Sequence, residues 1–340
     1  MILALINQSL ILMGLIIMYS NPPKDPLWNV IIDDRFLVQE GLGKGYTGFV
    51  RSGKDLETNE EVAIKFASEI RYWSLEKEYK NYIHLGARDP NVVQRGIPHI
   101  IHFGDFDQYK YLVMSKTGPT LHKLKDKTKD KEFTFTSIAK IGRQGIRIFE
   151  YIHSKGLIFH DVKPHNIAVG RSNANKIVFF DFAFSEFYID DMGVSKPRKE
   201  ATKFYGTPDY MAWGPLNRYT QVRKDDLISF GLVLLELNGV ILPWSEITKE
   251  YDNIYITMDV VLEQWNKHSI DDICDKSDNP HFFKEYFNYL DSFKSQERPD
   301  YDFLVQLFEN ELTEEELADD DLGIISTDNT KTHENAQGGQ

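Results

Sequence analysis

The stretch Phe159–Asn166, FHDVKPHN, decides how this chain of 340 residues is read. It holds an aspartate, a lysine two positions on and an asparagine five positions on, with Pro164 between the last two. A carboxylate can take a proton, an ammonium can neutralise a developing anion, and a carboxamide oxygen can ligate a hard cation. Pro164 fixes φ and keeps the segment from joining a helix. Asp161 would therefore orient a hydroxyl and accept its proton, Lys163 would steady a transferring phosphoryl group, and Asn166 would hold a metal ion. A rival reading makes His160, Asp161 and His165 metal ligands. Their spacing does not suit one helix face, and no His-Glu-x-x-His pattern or cysteine pair accompanies them.

Fifteen residues after Asn166, the run IVFFDFAF ends an apolar strand with Asp181, a second carboxylate for a metal, backed by Phe182. Mg²⁺ favours such sparse oxygen ligation, completed by phosphates and water. Upstream, Gly43-Lys44-Gly45-Tyr46-Thr47-Gly48 lies between two strand-like runs. A dinucleotide site needs a helix directly after such glycines, whereas here FVRSGKD leads into another strand at VAIKF. The glycines therefore sit at a hairpin tip, where missing Cβ atoms let backbone amides approach phosphates. Taken alone, an ordinary glycine turn explains them equally well. Lys65 adds weight, because it shares a strand face with Ala63, whose small side chain leaves room for a planar base. Val-Ala-Ile-Lys is also a nucleotide-binding strand motif. An interior lysine needs a partner to stay charged; Glu78, on the following helix, is the candidate, while Glu76 suits the solvated face.

From about Phe36 to Ser115 the pattern favours strands, interrupted by the helical run LEKEYKNYIHLG with Gly86 as its stop. After Gly118-Pro119 it turns helical. Ile138, Ile141, Ile148 and Ile152 share one helix face closed by Gly156, DLISFGLVLLEL is apolar nearly all round, and RPDYDFLVQLF supplies a final helix. A strand-rich lobe followed by a helix-rich lobe is an α+β arrangement. Apolar content of 41% is a globular value, and the net charge of −13 argues against a nucleic-acid binder, which would need a broad basic face. The only cysteine, Cys274, cannot form an internal disulfide and suits a reducing compartment as a small buried residue.

With these motifs in place, the sequence resembles the eukaryotic protein kinases, and among them the casein kinase 1 group, from about Arg35 to Phe308. The wording that carries the resemblance includes GIPHIIHFG, KYLVMSKTGPTLHKL, YIHSKGLIFHDVKPHNIAVG, KDDLISFGLVLLEL followed by LPW, and RPDYDFLVQLF. It implies a bilobal protein kinase-like fold, with a strand-rich N-lobe over 35–115 and a helix-rich C-lobe over 116–308. It also implies transfer of the γ-phosphate of ATP, with Mg²⁺, to serine and threonine hydroxyls of proteins. Nucleotide contacts are implied for Leu42, Gly43, Lys44, Gly45, Gly48, Val50, Ala63, Lys65, Glu78 and Met114, the last at the back of the adenine pocket. Thr207, in GTPDYMAWGPL, matches the threonine that bonds the catalytic aspartate, and Lys163 agrees with serine/threonine specificity. Three departures stand out. Phe159-His160 replaces His-Arg, which puts control by loop phosphorylation in doubt; Ala183 replaces the glycine after Asp-Phe; and Tyr46-Thr47 occupies the glycine-loop tip. None removes a group that binds ATP, metal or hydroxyl. The alternative is a pseudokinase serving as a nucleotide-binding or scaffolding module, although such proteins usually lack the strand lysine or one of the two aspartates.

Substrate choice and the two ends complete the expectations. Lys196, Arg198, Lys199 and Lys203 fall in the activation segment, and by the resemblance such residues receive acidic or phosphorylated side chains; a mobile charged loop is the plainer alternative. Residues 1–23 carry no charged side chain. Twenty helical residues would span a bilayer core, but Asn7, Gln8, Ser9 and Gly14 interrupt the apolarity, so a membrane anchor through 1–20 is the weaker reading. Lys24 and Arg35 follow the run, which would leave the kinase domain cytoplasmic in either case. Residues 311–340, acidic and then polar, read as a disordered tail. Oligomeric state is left open.

Overall fold

Alternation of apolar and polar side chains makes strands of most of residues 31–68 and 100–115. In this computed structural model, residues 26–128, 130–251, 253–294 and 296–324 are described. The expected apolar segment 1–23 and the tail beyond 324 lie outside them. Strands β1 (Ile31–Ile32), β2 (Phe36–Gly45), β3 (Gly48–Asp55), β4 (Glu61–Ser68), β5 (Ile100–Phe106) and β6 (Tyr109–Ser115) form a sheet in the order β1-β2-β3-β4-β6-β5. Val62, Ile64 and Phe66 of β4 are completely buried on one face. Opposite register partners share a face, so the pairings Gly43↔Val50, Val50↔Lys65 and Ala63↔Met114 put Val50, Ala63, Lys65 and Met114 together on the other.

The remaining elements form a helical unit. Its helices are α1 (Tyr72–His84), α2 (Leu121–Lys125), α3 (Phe135–Ser154), α4 (Trp213–Leu216), α5 (Arg223–Leu237), α6 (Ile254–Lys267), α7 (Ile270–Cys274), α8 (Pro280–Ser292), α9 (Tyr301–Asn310) and α10 (Glu314–Ala318). Two small ribbons accompany them, β7 (Leu157–Ile158) with β10 (Glu186–Phe187), and β8 (Ile167–Val169) with β9 (Ile177–Phe179). On α3 the expected stripe of Ile138, Ile141, Ile148 and Ile152 is buried. The helix stops at Gly156, whose φ of 79° favours a residue without Cβ. Helix α5 is buried nearly all round. It approaches α3 at Gly145, where a Cβ would stand 2.2 Å from the Phe230 ring. Aromatic rings continue inward from there, Phe230 to Phe149, Phe149 to Phe179, and Phe159 to both Phe179 and Phe182. Phe159, the first residue of FHDVKPHN, ties that segment into this aromatic chain.

Two expectations need correction. The described residues cluster into two compact units, 26–72 with 102–115, and 73–101 with 116–324. Most of α1 thus groups with the helical unit and not with the strands. The acidic run after 310, expected to be disordered, is ordered as far as residue 324. Thr313 and Glu316 cap α10 reciprocally, with Glu316 N donating to Thr313 Oγ1 and Thr313 N to Glu316 Oε2. Leu312, Leu322 and Ile324 are buried. Lys140, 4% exposed, donates to Asp319 Oδ2 at 3.2 Å and to the Asp321 carbonyl at 2.7 Å. Composition averages away three well-placed apolar side chains and one buried cation that the acids can meet.

Candidate active site

In the strand unit, β2 and β3 close with Gly45 opposite Gly48, leaving Tyr46-Thr47 as the turn. Its glycines divide by cause. A Cβ at Gly48 (φ 150°) would lie 2.1 Å from the Phe66 carbonyl oxygen, so the sheet itself demands glycine there. At Gly43 and Gly45 a Cβ would meet nothing within 4 Å. Protein neighbours do not explain those two glycines, whereas close approach by a phosphate would. Leu42 falls in the register irregularity between Gly41 and Gly43 and, like Lys44, is exposed. On the shared face of the sheet, Lys65 is 5% and Met114 8% exposed. At the turn, the Arg71 guanidinium covers the Tyr46 ring at 3.8 Å.

In the helical unit, the segment after β7 brings four expected residues together. Thr207 donates its hydroxyl to Asp161 Oδ1 at 2.8 Å and accepts from Lys163 Nζ at 3.1 Å. Lys163 Nζ also pairs with Asp161 Oδ2 at 2.7 Å. Asn166 Nδ2 donates to the Asp161 carbonyl and to Asp161 Oδ2, each at 2.9 Å. The amide orientation turns Asn166 Oδ1, the atom suited to a cation, away from these bonds. Asp181 follows closely in space, because Phe180 N donates to the Asn166 carbonyl at 3.1 Å. Asp181 has left-handed backbone geometry (φ 67°, ψ 67°), and its N–H donates to the Tyr82 hydroxyl at 3.1 Å. Burial, with Glu78 and Asp181 nearby, holds the Tyr82 phenol well above its ordinary pKa. Glu78, on the same face of α1, is 1% exposed.

Asp226 fixes the start of the loop, and no motif reading singled it out. Its carboxylate accepts from Phe159 N at 2.6 Å and His160 N at 2.9 Å, and His153 Nε2 lies 3.0 Å away. Burial depresses the pKa of His153. A neutral ring then donates from Nε2 to Asp226 and accepts at Nδ1 from the Tyr301 hydroxyl, 2.7 Å away. Asp225 and Asp226 lie in the first turn of a largely apolar helix, and both are buried. His160, with φ 71°, replaces the usual arginine with a ring whose pKa burial lowers, so no fixed positive charge stands there.

The activation segment corrects one expectation. Lys196, Lys199 and Lys203, with Arg223 and His160, line a cavity of about 230 Å³. Arg198 does not belong with the lysines. It pairs with buried Asp225 and donates from Nε to the Thr220 carbonyl at 3.1 Å, because that carboxylate needs a cation inside the protein.

A protein kinase domain family model matches residues 36–309. Casein kinase I homolog 2 of Schizosaccharomyces pombe is 30% identical over 287 residues, 83% of this chain and 63% of that protein. Casein kinase I homolog 1 of the same yeast is 28% identical over 295 residues, 82% of this chain and 61% of its own length. The chain thus spans less than two thirds of these relatives. The structure of vaccinia related kinase 3 superposes with a TM-score of 0.69 at 17% identity, covering 86% of this chain and 92% of that one, a likeness of fold.

Proposed function

The chain belongs to the protein kinase domain family, and we propose that it transfers the γ-phosphoryl group of ATP to serine or threonine hydroxyls of proteins. The observation that carries this reading is the bonded set Asp161, Thr207, Lys163 and Asn166. In it Asp161 orients the substrate hydroxyl and receives its proton, and Thr207 holds that carboxylate in place. Lys163 steadies the charge of the phosphoryl group in flight. Asn166 and Asp181 would hold Mg²⁺, which would supply neutralisation of the phosphate charge. These two side chains suit a cation that takes few protein ligands and completes its shell with phosphates and water. The bare space at Gly43 and Gly45 suits phosphates. Leu42, Lys44, Gly48, Val50, Ala63, Lys65, Glu78 and Met114 complete the proposed nucleotide contacts.

The exposed lysines 196, 199 and 203 support a preference for acidic or already phosphorylated substrates. A cytoplasmic setting is supported by the lone Cys274, which is fully buried with its thiol pushed up to about 12 by that burial. Among the described residues no helix is long and apolar enough to cross a membrane. One assay decides the activity: phosphate transfer from labelled ATP to itself and to an acidic protein, by the wild type and by Asp161→Asn. Transfer by the wild type alone is expected. Mg²⁺-dependent ATP binding without transfer would make the chain a nucleotide-binding module instead.

A further inference from the structure

Helix α1 turns Ser74, Leu75, Glu78, Asn81 and Tyr82 inward at helical spacing. Asn81 is a polar member of this stripe to which the reaction gives no task, and the one that bonds the turn after Asp181. It is 4% exposed, and its Nδ2 uses both hydrogens on backbone carbonyls, Phe182 O at 2.9 Å and Ser185 O at 3.0 Å. The next residue, Tyr82, accepts the Asp181 N–H and sets its ring edge-to-face on Phe182, centroids 5.0 Å apart. Ser185 Oγ in turn donates to the Phe159 carbonyl at 3.1 Å. The turn 181–185 is thereby tied to α1 at both ends. It needs tying, since Asp181 holds a left-handed conformation that costs a non-glycine residue about 1 kcal/mol or more.

We propose that Asn81 is a positioning residue for Asp181: a two-pronged latch that keeps the turn 181–185 in the conformation presenting the Asp181 carboxylate to a divalent cation. The inference rests on the reading of Asp181 as a metal ligand. A leucine keeps the same branched skeleton but would leave two buried carbonyls without this donor. The asparagine is therefore matched to the turn and is more than filler for the core. Ala183, buried in the middle of the turn, makes the tie more effective, because alanine lacks the backbone freedom of glycine at that place.

The test uses the full chain, with Asn81→Leu beside Ser74→Ala, a change on the same helix face away from the turn. Two quantities are read: hydrogen exchange at the amides of 181–185, and the Mg²⁺ concentration that half-saturates binding of a fluorescent ATP analogue. Asn81→Leu is expected to speed exchange at 181–185 selectively and to raise the half-saturating Mg²⁺ roughly tenfold, the scale of two lost hydrogen bonds. Mg²⁺-free nucleotide binding should not move, and Ser74→Ala should match the wild type in both. Wild-type exchange at 181–185 in Asn81→Leu, or faster exchange spread evenly over the molecule, would overturn the latch. A wild type whose nucleotide binding ignores Mg²⁺ would remove the reading of Asp181 instead, and exchange at 181–185 would still decide for or against the latch.

Discussion

The Thr207 hydroxyl stands between a cation and an anion, accepting from Lys163 Nζ at 3.1 Å and donating to Asp161 Oδ1 at 2.8 Å. It holds one oxygen of that carboxylate, while Lys163 and Asn166 hold Oδ2. Thr207→Val keeps the shape and removes the bond, so kcat should fall roughly tenfold, the worth of one hydrogen bond to a charged group, ~1.5 kcal/mol. Thr207→Ser keeps the hydroxyl and should retain most activity. Steady-state kinetics on one acidic peptide measure both, and an undiminished kcat in Thr207→Val would remove the hydroxyl from the mechanism.

Asp161 and Asp181 should separate cleanly. Asp161→Asn is expected to lower kcat by about 10²–10⁴-fold, the range for a positioned base, with nucleotide affinity almost unchanged. Asp181→Asn should instead abolish Mg²⁺-dependent nucleotide binding. Calorimetric titration of ATP with and without Mg²⁺, run beside transfer assays, distinguishes the two. Equal transfer by both variants and the wild type would sink the proposed roles.

The segment that brings Asp161, Lys163 and Asn166 together was legible because it is local: the three lie within six residues, and a proline holds their spacing. The strand face carrying Val50, Ala63, Lys65 and Met114 was legible for a similar reason, since period two dictates which side chains share a side. Asp226 was hidden because its partners, Phe159 and His160, stand more than sixty residues upstream, and an acid at the start of an apolar helix looks like ordinary capping. Asn81 was hidden because its two acceptors are backbone carbonyls, which leave no trace in side-chain patterns. Arg198 was grouped with its lysine neighbours by charge, when the buried Asp225 determines its direction.

The ordered segment after residue 310 gives a stability prediction. Leu322 is 1% exposed, so Leu322→Ala should destabilise the protein by about 2–5 kcal/mol, the range for a buried leucine. A change in an unstructured tail would stay within about 0.5 kcal/mol. Urea denaturation distinguishes the two outcomes.

The pair His153 and Asp226 predicts a pH dependence. Burial lowers the pKa of folded His153 below its ordinary 6.5, while the unfolded chain binds a proton at that ordinary value. The folded protein therefore binds fewer protons. Its His153 contribution is fully present above pH 6.5 and is lost as pH falls below it, by at most about 1.4 kcal/mol per pH unit. His160 is shifted the same way and adds to the effect. Urea midpoints between pH 8 and pH 5.5 should fall with pH, and His153→Gln should make that fall shallower. An unchanged slope in His153→Gln would show that the ring is already charged in the fold.

Arg198 and Lys199 are chain neighbours with opposite predicted phenotypes. The side chain of Asp225 is 2% exposed, and its cation is Arg198, itself 18% exposed. Removing that cation strands a buried carboxylate which, among the described residues, keeps the Val222 N–H at 2.8 Å. Arg198→Ala should therefore cost about 3–5 kcal/mol of stability while leaving peptide preference intact. Lys199 is exposed and lines the cavity with Lys196 and Lys203, so Lys199→Glu should leave stability nearly unaltered and weaken acidic or phosphorylated peptides selectively. The wild-type preference should also fade with added salt, as expected of exposed charges. Peptide arrays at two salt concentrations, with thermal denaturation of both variants, make the comparison. Arrays that favour basic residues upstream of the target, or a peptide shift in Arg198→Ala as large as in Lys199→Glu, would overturn the assignment of the lysines to substrate.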